Sequence, residues 1–194
     1  MKRTPELVGI CLATGIISVA TAAGAQSLAA PNEYFWPAFK KSISYKAKSH
    51  AIRGGITLIA ADDVTIDSKV YKRITVQPKP EGMPGIHREV FLRAEKQGLY
   101  ARYSAAQGAK EVLTLALPAE KGKTWATYDQ DGQPSKRTID DVGDCDIKGM
   151  TFKHCVRVVF ESSGGAAVAY YAPEYGEIVN SRKNGFVYRT IQSK

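Results

Sequence analysis

The sequence predicts an all-β fold of mainly antiparallel strands in one domain, residues 26–194. From Tyr34 onward the apolar residues recur in short runs with little helical periodicity, which is typical of strands. Pairs of Gly, Asn and Asp that favour tight turns separate these runs. The 194 residues are 44% hydrophobic and 24% charged, so the composition excludes a disordered, collagen-like, coiled-coil or multi-span membrane protein.

The candidate strands are short, and each lies between turn signals. They cover residues 42–47, 56–60, 64–66, 70–76, 89–95, 98–104, 111–117, 124–128, 136–141, 152–161, 166–172, 177–182 and 186–192. Asn184-Gly185 is the strongest turn signal, because both residues tolerate the positive φ angles of a type I′ hairpin. Residues 78–85 contain Pro78 and Pro80, which lack the N–H groups that a central strand needs, and therefore predict a long exposed loop.

Alternation of apolar and polar residues is clearest in residues 152–161. The residues predicted to share its apolar face are Phe152, His154, Val156, Val158 and Phe160. Because His154 falls on this apolar face, we expect it to be a hydrogen-bonded histidine in the core or at a sheet edge.

Residues 1–25 predict a cleavable signal peptide. The basic pair Lys2-Arg3 precedes an apolar stretch at residues 7–20, and a run of small residues at 22–25 completes the pattern. The apolar stretch is shorter than the roughly 20 residues that span a bilayer, which argues against a transmembrane anchor. The sequence therefore predicts an exported protein, either periplasmic or secreted.

Two cysteines, Cys145 and Cys155, remain after such a cleavage. An even number of cysteines in an exported chain predicts a disulfide, and the absence of a C-x-x-C spacing disfavours a redox or metal pair. In a hairpin with a three-residue loop at 149–151, Lys148 would pair with Phe152. The two cysteines would then lie directly opposite each other on one side of the sheet.

Motifs for catalysis, nucleotide binding or metal binding are absent from the sequence. The chain has three histidines and no H-E-x-x-H spacing, and it lacks the G-x-S-x-G, Walker and G-x-G-x-x-G patterns. The segment from Asp129 to Gly132 could begin a calcium loop, but the closing glutamate of an EF-hand is missing and turn chemistry explains it as well. The sequence therefore predicts a protein that is not an enzyme and that holds no cofactor or metal.

Aromatic residues on or beside the later strands are the candidates for ligand binding. They are Tyr100, Tyr103, Trp125, Tyr170 and Tyr171. In a curved sheet such residues either fill the core or line an apolar cavity that has a few polar groups. Both interpretations stay open from the sequence, and core packing is the more frequent one.

Basic residues dominate the N-terminal strands of a chain whose formal net charge is +8. Residues 34–61 contain no acidic residue, and their basic residues are Lys40, Lys41, Lys46, Lys48 and Arg53. Such a field attracts anionic partners, although a solvated basic face is the commoner explanation. For an exported chain, the candidate partners are a lipid, an anionic envelope surface or an envelope protein, and nucleic acid is disfavoured.

Short blocks across most of the chain resemble a family of exported bacterial β-sheet proteins called TapB-like. The blocks are Tyr34-Phe35-Trp36-Pro37 followed by Tyr45, Leu115-Ala116-Leu117-Pro118 with Gly122-Lys123-Thr124-Trp125, the run from Gly149 to Val158, and Tyr170-Tyr171-Ala172-Pro173 with Gly176 and Ile178-Val179. The resemblance implies a single curved sheet or half-barrel, similar to the folds of periplasmic lipoprotein carriers. It implies no enzyme activity.

Two functional hypotheses follow from these observations. The first is a non-enzymatic binding module that holds an apolar or amphipathic ligand, such as an acyl chain or a peptide, on the curved sheet. The alternative is an envelope inhibitor or immunity-type protein that blocks a protein partner through an exposed loop. Residues 78–85 are the candidate loop, because prolines reduce the cost of ordering a loop on binding.

Overall fold

A continuous antiparallel sheet accounts for most of the chain in the computed structural model, which describes residues 31–38, 40–48, 53–80, 88–147, 149–163, 165–182 and 188–191. Its strands are β1 (Ser42–Lys48), β2 (Arg53–Ile66), β3 (Lys69–Pro80), β4 (Arg88–Glu95), β5 (Gly98–Arg102), β6 (Val112–Ala116), β7 (Thr124–Tyr128), β8 (Pro134–Ile147), β9 (Met150–Ser162), β10 (Gly165–Ala172), β11 (Gly176–Arg182) and β12 (Tyr188–Ile191). Two short 3₁₀ helices, Pro31–Tyr34 and Trp36–Ala38, precede them. Among the described residues, no helix has the length and hydropathy needed to cross a membrane.

The spatial order of the strands is β6-β5-β4-β3-β2-β1-β12-β11-β10-β9-β8-β7. Strands that are consecutive in the chain therefore lie side by side, and β1 pairs with β12 to join the two halves. The sheet curls into a half-barrel, which confirms the predicted all-β, mainly antiparallel fold with a curved sheet. Among the described strands, the exception is the pair β6 and β7, which are consecutive in the chain but form the two edges of the sheet.

Register shifts interrupt several strand pairs, and each extra residue bends its strand. In β2 and β8 the extra residues lie between Ala60 and Asp63 and between Ile139 and Asp141. At the other three shifts, opposite Leu99–Tyr100, Gly143–Cys145 and Tyr170–Tyr171, the extra residue lies in the partner strand, which is β6, β9 and β11 respectively. The first shift explains one difference from the sequence prediction. Residues 56–60 and 64–66 belong to the single long strand β2 rather than to two strands, because a bulge absorbs the polar residues between them.

The prediction of a loop at residues 78–85 is wrong for residues 78–80. Strand β3 continues through Pro80, and both Pro78 and Pro80 pair with β2. In the described part of the chain, β4 pairs with β3 only as far as Val76, so the prolines lie where β3 has a neighbour on one side. A missing N–H can be tolerated at such an edge position. The rest of the predicted loop falls in residues 81–87, outside the described residues.

Buried side chains form two large clusters that border the same interior cavity. The fully buried members include Leu115, Ile139, Val156, Val158, Ala169 and Ile178. Most of them come from β8 to β11, whose alternating positions place small and β-branched residues against one another. A smaller cluster of Ile66, Tyr71 and Phe91 packs separately at the other end of the sheet.

A disulfide joins Cys145 in β8 to Cys155 in β9, as the sequence predicted, with the Cα atoms 5.8 Å apart. The predicted register of this hairpin is wrong, however. Cys145 pairs with Phe152 and Cys155 pairs with Gly143, so the bridge runs diagonally between neighbouring pairs. The physical reason is that the loop is shorter than predicted, because Ile147 pairs directly with Met150. The residue that this leaves over in β9 forms a bulge between Phe152 and Cys155.

That bulge also overturns the predicted face of His154. The residue has a positive φ of 52° and an exposed side chain, so it does not lie in the core or on the apolar face. Alternation is broken at this point: Phe152 and Cys155 belong to one buried cluster, whereas Val156 and Val158 belong to the other. A single inserted residue moves every later side chain to the opposite face of the strand.

The signal peptide predicted at residues 1–25 and the turn predicted at Asn184-Gly185 fall outside the described residues. The same is true of Lys148, whose predicted pairing with Phe152 is excluded by the pairing of Phe152 with Cys145.

Removing the disulfide is expected to weaken the protein without unfolding it. A bridge that closes a loop of this size stabilises a chain by about 3 kcal/mol, and the large core remains without it. We expect the Cys145→Ala/Cys155→Ala variant to lose at most about 3 kcal/mol in the free energy of urea unfolding. A variant that is unfolded in buffer would contradict this expectation.

Glycine at position 154 is expected to stabilise the bulge. A side chain in the left-handed region costs roughly 1 kcal/mol, and glycine avoids this cost. We expect His154→Gly to be more stable than His154→Ala by about 1 kcal/mol in chemical unfolding, because both variants remove the imidazole and only one removes the Cβ atom. Equal stabilities would show that the backbone at this position carries no strain.

Candidate functional site

A partly open cavity of about 150 Å³ lies in the concave side of the half-barrel. Apolar side chains from β2 to β5 form one wall, and they are Leu58, Ile74, Val76, Val90, Leu92, Leu99 and Ala101. These residues lie at alternate positions on paired strands, and cross-strand pairs such as Leu58 with Val76 keep them on one face. The wall therefore follows directly from the period-two pattern of the sequence.

Polar groups collect at the side of the cavity formed by β6, β10 and β11. The hydroxyl of Tyr171 lies 3.3 Å from the carbonyl oxygen of Thr114 and 3.3 Å from Oε2 of Glu177. Nδ2 of Asn180 donates to Oε1 of Glu177 at 3.2 Å. Burial, and to a lesser extent the charge of Glu177, raises the pKa of Tyr171 well above its ordinary value, so this hydroxyl stays protonated. The side offers both donors and acceptors to a ligand.

The N-terminal 3₁₀ segment covers a further side of the cavity with Tyr34, Phe35 and Trp36. The hydroxyl of Tyr34 donates to the carbonyl oxygen of His154 at 2.7 Å, and burial together with the charge of Glu33 raises the pKa of Tyr34 to about 12.

Trp36 can pack here only because residue 176 is glycine. Gly176 has a φ of +65°, and a Cβ atom on it would lie 2.9 Å from Cδ1 of Trp36 and 3.0 Å from the carbonyl oxygen of Tyr34. Any larger residue would push the 3₁₀ segment away from β11.

The five aromatic residues proposed from the sequence do not all lie together. Tyr100, Tyr103 and Tyr171 are among the lining residues of the cavity. Trp125 instead donates from Nε1 to the carbonyl oxygen of Leu113 at 2.9 Å, at the boundary between β6 and β7. Tyr170 follows the strand alternation to the other face of β10, where it lies beside the disulfide.

Sequence reasoning missed the polar residues of the cavity and most of its apolar wall. Thr114, Glu177 and Asn180 belong to strands that the sequence did predict, but nothing in their local pattern distinguishes them from solvent-facing residues. The period-two pattern identifies apolar residues that face inward, yet it does not tell a filled core from a cavity.

A second group of residues, the Glu111 cluster, consists of Glu111, Lys69, Tyr71 and Arg93. Arg93 is 7% exposed and bonds Glu111 with two nitrogens, Nε at 2.5 Å and Nη2 at 2.8 Å. The hydroxyl of Tyr71 donates to the same carboxylate at 2.5 Å, and Nζ of Lys69 donates at 2.9 Å. Since Glu111 directly precedes β6, these bonds from β3 and β4 anchor the start of that strand.

The charge of Glu111 is strongly favoured by this arrangement. Burial opposes ionisation, but the hydrogen bonds from Arg93, Tyr71 and Lys69 outweigh it and lower the pKa of Glu111 to about 2 from 4.5. The ring of Tyr100 lies 4.1 Å from the guanidinium carbon of Arg93, which adds a cation–π contact. The charges of the cluster are paired with one another, so it acts as a structural element, and its Arg93 also lines the cavity.

Metal-binding groups are not found among the described residues, where no three His, Cys, Asp or Glu side chains come together. The calcium alternative at Asp129 has a specific structural explanation. Oδ1 of Asp129 accepts the backbone N–H groups of Asp131 at 3.0 Å and Gln133 at 2.9 Å, which closes the turn between β7 and β8.

The basic residues of the N-terminal strands are only partly described. The ammonium of Lys40 lies 4.0 Å from the ring centroid of Tyr175, so this residue makes a cation–π contact. The backbones of Lys46 and Lys48 pair with β2 opposite Gly55 and Arg53. The prediction of an anionic partner for this region stays a prediction.

Comparison of the chain with protein-family models, with curated proteins and with solved structures finds no match. The resemblance to TapB-like proteins therefore stays a prediction, and the function has to be argued from the geometry of the cavity.

Neutralising Glu111 is expected to remove an acid-sensitive part of the stability. Because its folded pKa is depressed, Glu111 stabilises the protein above about pH 4.5, and this contribution is lost as the pH falls towards about 2. We expect Glu111→Gln to lower the free energy of unfolding by about 2 kcal/mol at pH 7, where solvent screening limits the effect of the charge. Near pH 2 the variant should approach the stability of the wild type.

Urea unfolding at pH 7, 4 and 2.5 measures this difference. Glu120→Gln, which removes an exposed carboxylate, is the control and should follow the wild type throughout. A Glu111→Gln deficit that stays constant with pH would contradict the assignment of the stabilisation to the charge.

Proposed function

We propose that the protein is a non-enzymatic binding module that holds the apolar part of an apolar or amphipathic ligand inside the half-barrel. The observation that carries the proposal is the cavity, in which apolar side chains from β2 to β5 face a few polar groups around Tyr171. A concave apolar site with a small number of polar groups is the usual form of a small-ligand site.

The size of the cavity limits the part of the ligand that it takes. A dry apolar cavity of about 150 Å³ is large enough for a molecule such as benzene. We therefore expect a short apolar segment to enter, such as the end of an acyl chain or one apolar side chain of a peptide. Burying about five carbons contributes about 4 kcal/mol, so the isolated segment should bind weakly and the polar groups should add specificity.

We further propose that this binding takes place outside the cytoplasm, in the periplasm or after secretion. The disulfide supports this location, because such bonds persist in oxidising compartments. The N-terminal pattern of residues 1–25 supports it independently. Fractionation of cells that express the full chain, with N-terminal sequencing of the product, would test both; an uncleaved cytoplasmic chain would contradict the proposal.

Filling the cavity is expected to abolish ligand binding. Val76 and Val70 both lie in β3, but Val76 lines the cavity while Val70 is 60% exposed. We expect Val76→Trp to weaken binding of N-pentyl dansylamide, a fluorescent probe whose short alkyl chain matches the apolar segment that the cavity can take, by at least about tenfold. Val70→Trp adds the same side chain to the same strand and should bind as the wild type does.

A fluorescence titration on variants checked for native circular dichroism measures this effect. Equal binding by the wild type and Val76→Trp would place the probe elsewhere and contradict the proposed site. Mass spectrometry of organic extracts from the native protein would identify a natural ligand. Stoichiometric capture of one envelope protein without any extracted ligand would instead favour the partner-blocking alternative.

A further inference from the structure

The boundary between β6 and β7, which we call the seam, is closed by side chains rather than by a backbone ladder. Among the described residues, no hydrogen bond joins the backbone of β6 to the backbone of β7. The N–H of Leu113 instead donates to Oγ1 of Thr127 at 3.0 Å, and the carbonyl oxygen of Leu113 accepts from Nε1 of Trp125 at 2.9 Å. Both backbone groups of Leu113 are thus satisfied by side chains of β7.

Side chains from the next strands complete the seam. Nη1 of Arg137 in β8 donates to the carbonyl oxygen of Thr114 at 3.0 Å, and the hydroxyl of Tyr171 lies 3.3 Å from the same oxygen. Every other pair of neighbouring strands in the described sheet is joined by a backbone ladder. Opening the half-barrel at the seam therefore breaks only side-chain contacts, whereas opening it elsewhere breaks the sheet itself.

The seam borders the cavity directly. Three residues near the seam line the cavity: Thr114 in β6, Tyr171 in β10 and Gln130 in the turn that follows β7. Gln130 is exposed, so the cavity already reaches solvent at this end of the seam, and separation of β7 from β6 would widen the opening.

One end of the seam is hinged by the connection 117–123. Nζ of Lys123 donates to the carbonyl oxygens of Leu117 and Pro118, both at 3.0 Å. The N–H of Gly122 donates to the carbonyl oxygen of Ile139 at 2.8 Å, which ties the connection to β8.

At the opposite end of the seam, a cation–π contact is the interaction described between the two sides. The ammonium of Lys110 lies 5.1 Å from the ring centroid of Tyr128. Strand β6 itself is fixed at this end, because the Glu111 cluster ties it to β3 and β4. The geometry thus favours a wedge-like movement of β7 away from a stationary β6.

We propose that the seam is the entrance to the cavity, with Trp125 and Thr127 as its latch. This inference rests on the proposed function, because an entrance requires a ligand. Ligand exchange then depends on how often the latch opens, while affinity depends on the wall of β2 to β5, to which neither latch residue belongs.

Weakening the latch should change the rates of binding and leave the affinity nearly unchanged. Trp125→Phe/Thr127→Val keeps an aromatic ring at position 125 and the size of the side chain at position 127, and it removes both hydrogen bonds to Leu113. In stopped-flow experiments with N-pentyl dansylamide, we expect the association and dissociation rates each to rise by about fivefold to tenfold. The dissociation constant should change by less than about twofold, since a more populated open state speeds both directions.

Thr124→Val is the matched control. Thr124 lies in the same strand, but its Oγ1 contacts Thr138 in β8 and the carbonyl oxygen of Gly122 in the hinge, and no described hydrogen bond of this hydroxyl crosses to β6. Its rates should equal those of the wild type. Thr127→Val alone should give a smaller increase of about threefold and decides the question if the double variant is not folded by circular dichroism.

The outcomes separate this inference from the proposed function. Binding with wild-type rates in folded latch variants would overturn the entrance while leaving the cavity as the site. A loss of affinity through faster dissociation alone would show that the latch residues contact the probe, which also overturns the entrance. An absence of probe binding by the wild type would overturn the proposed function and the entrance with it.

Discussion

Backbone pairing along one continuous antiparallel sheet is the constraint on which the rest of this structure depends. Buried N–H and C=O groups must be paired, so a curled sheet can be interrupted only where other groups take over their hydrogen bonds. Here the pairing of β1 with β12 joins the two chain halves, and the interruption falls between the consecutive strands β6 and β7. The side chains of Thr127 and Trp125 satisfy the exposed edge at Leu113, and the cavity lies directly behind it.

Stability and binding are assigned to different parts of the sheet. The Glu111 cluster concentrates its charges on one carboxylate and pins β6 to β3 and β4, which gives the half-barrel one fixed edge. The two parts meet at Arg93, which lines the mostly apolar cavity but has its buried charge paired with Glu111. A fixed edge beside a side-chain seam allows movement at one place in an otherwise rigid sheet.

Small irregularities of the strands decide how the cavity is enclosed. The bulge at His154 turns a backbone carbonyl towards Tyr34, and the hydrogen bond between them positions the N-terminal 3₁₀ segment. The lack of a side chain at Gly176 then lets Trp36 pack closely against β11. The positive φ of His154 and the missing side chain of Gly176 therefore allow the 3₁₀ segment to form one side of the cavity.

The sequence by itself determined the all-β class, most strand positions and the partner of each cysteine, because alternation and turn chemistry depend on residues that are close in the chain. It could not predict the register around Cys155 or the exposed position of His154, since one bulged residue reverses the faces of a strand. Only the tertiary structure decided that Tyr171 lines a cavity while Trp125 closes the seam. Both are aromatic residues in strands, and the physical difference between them is which distant strand each one meets when the sheet curls.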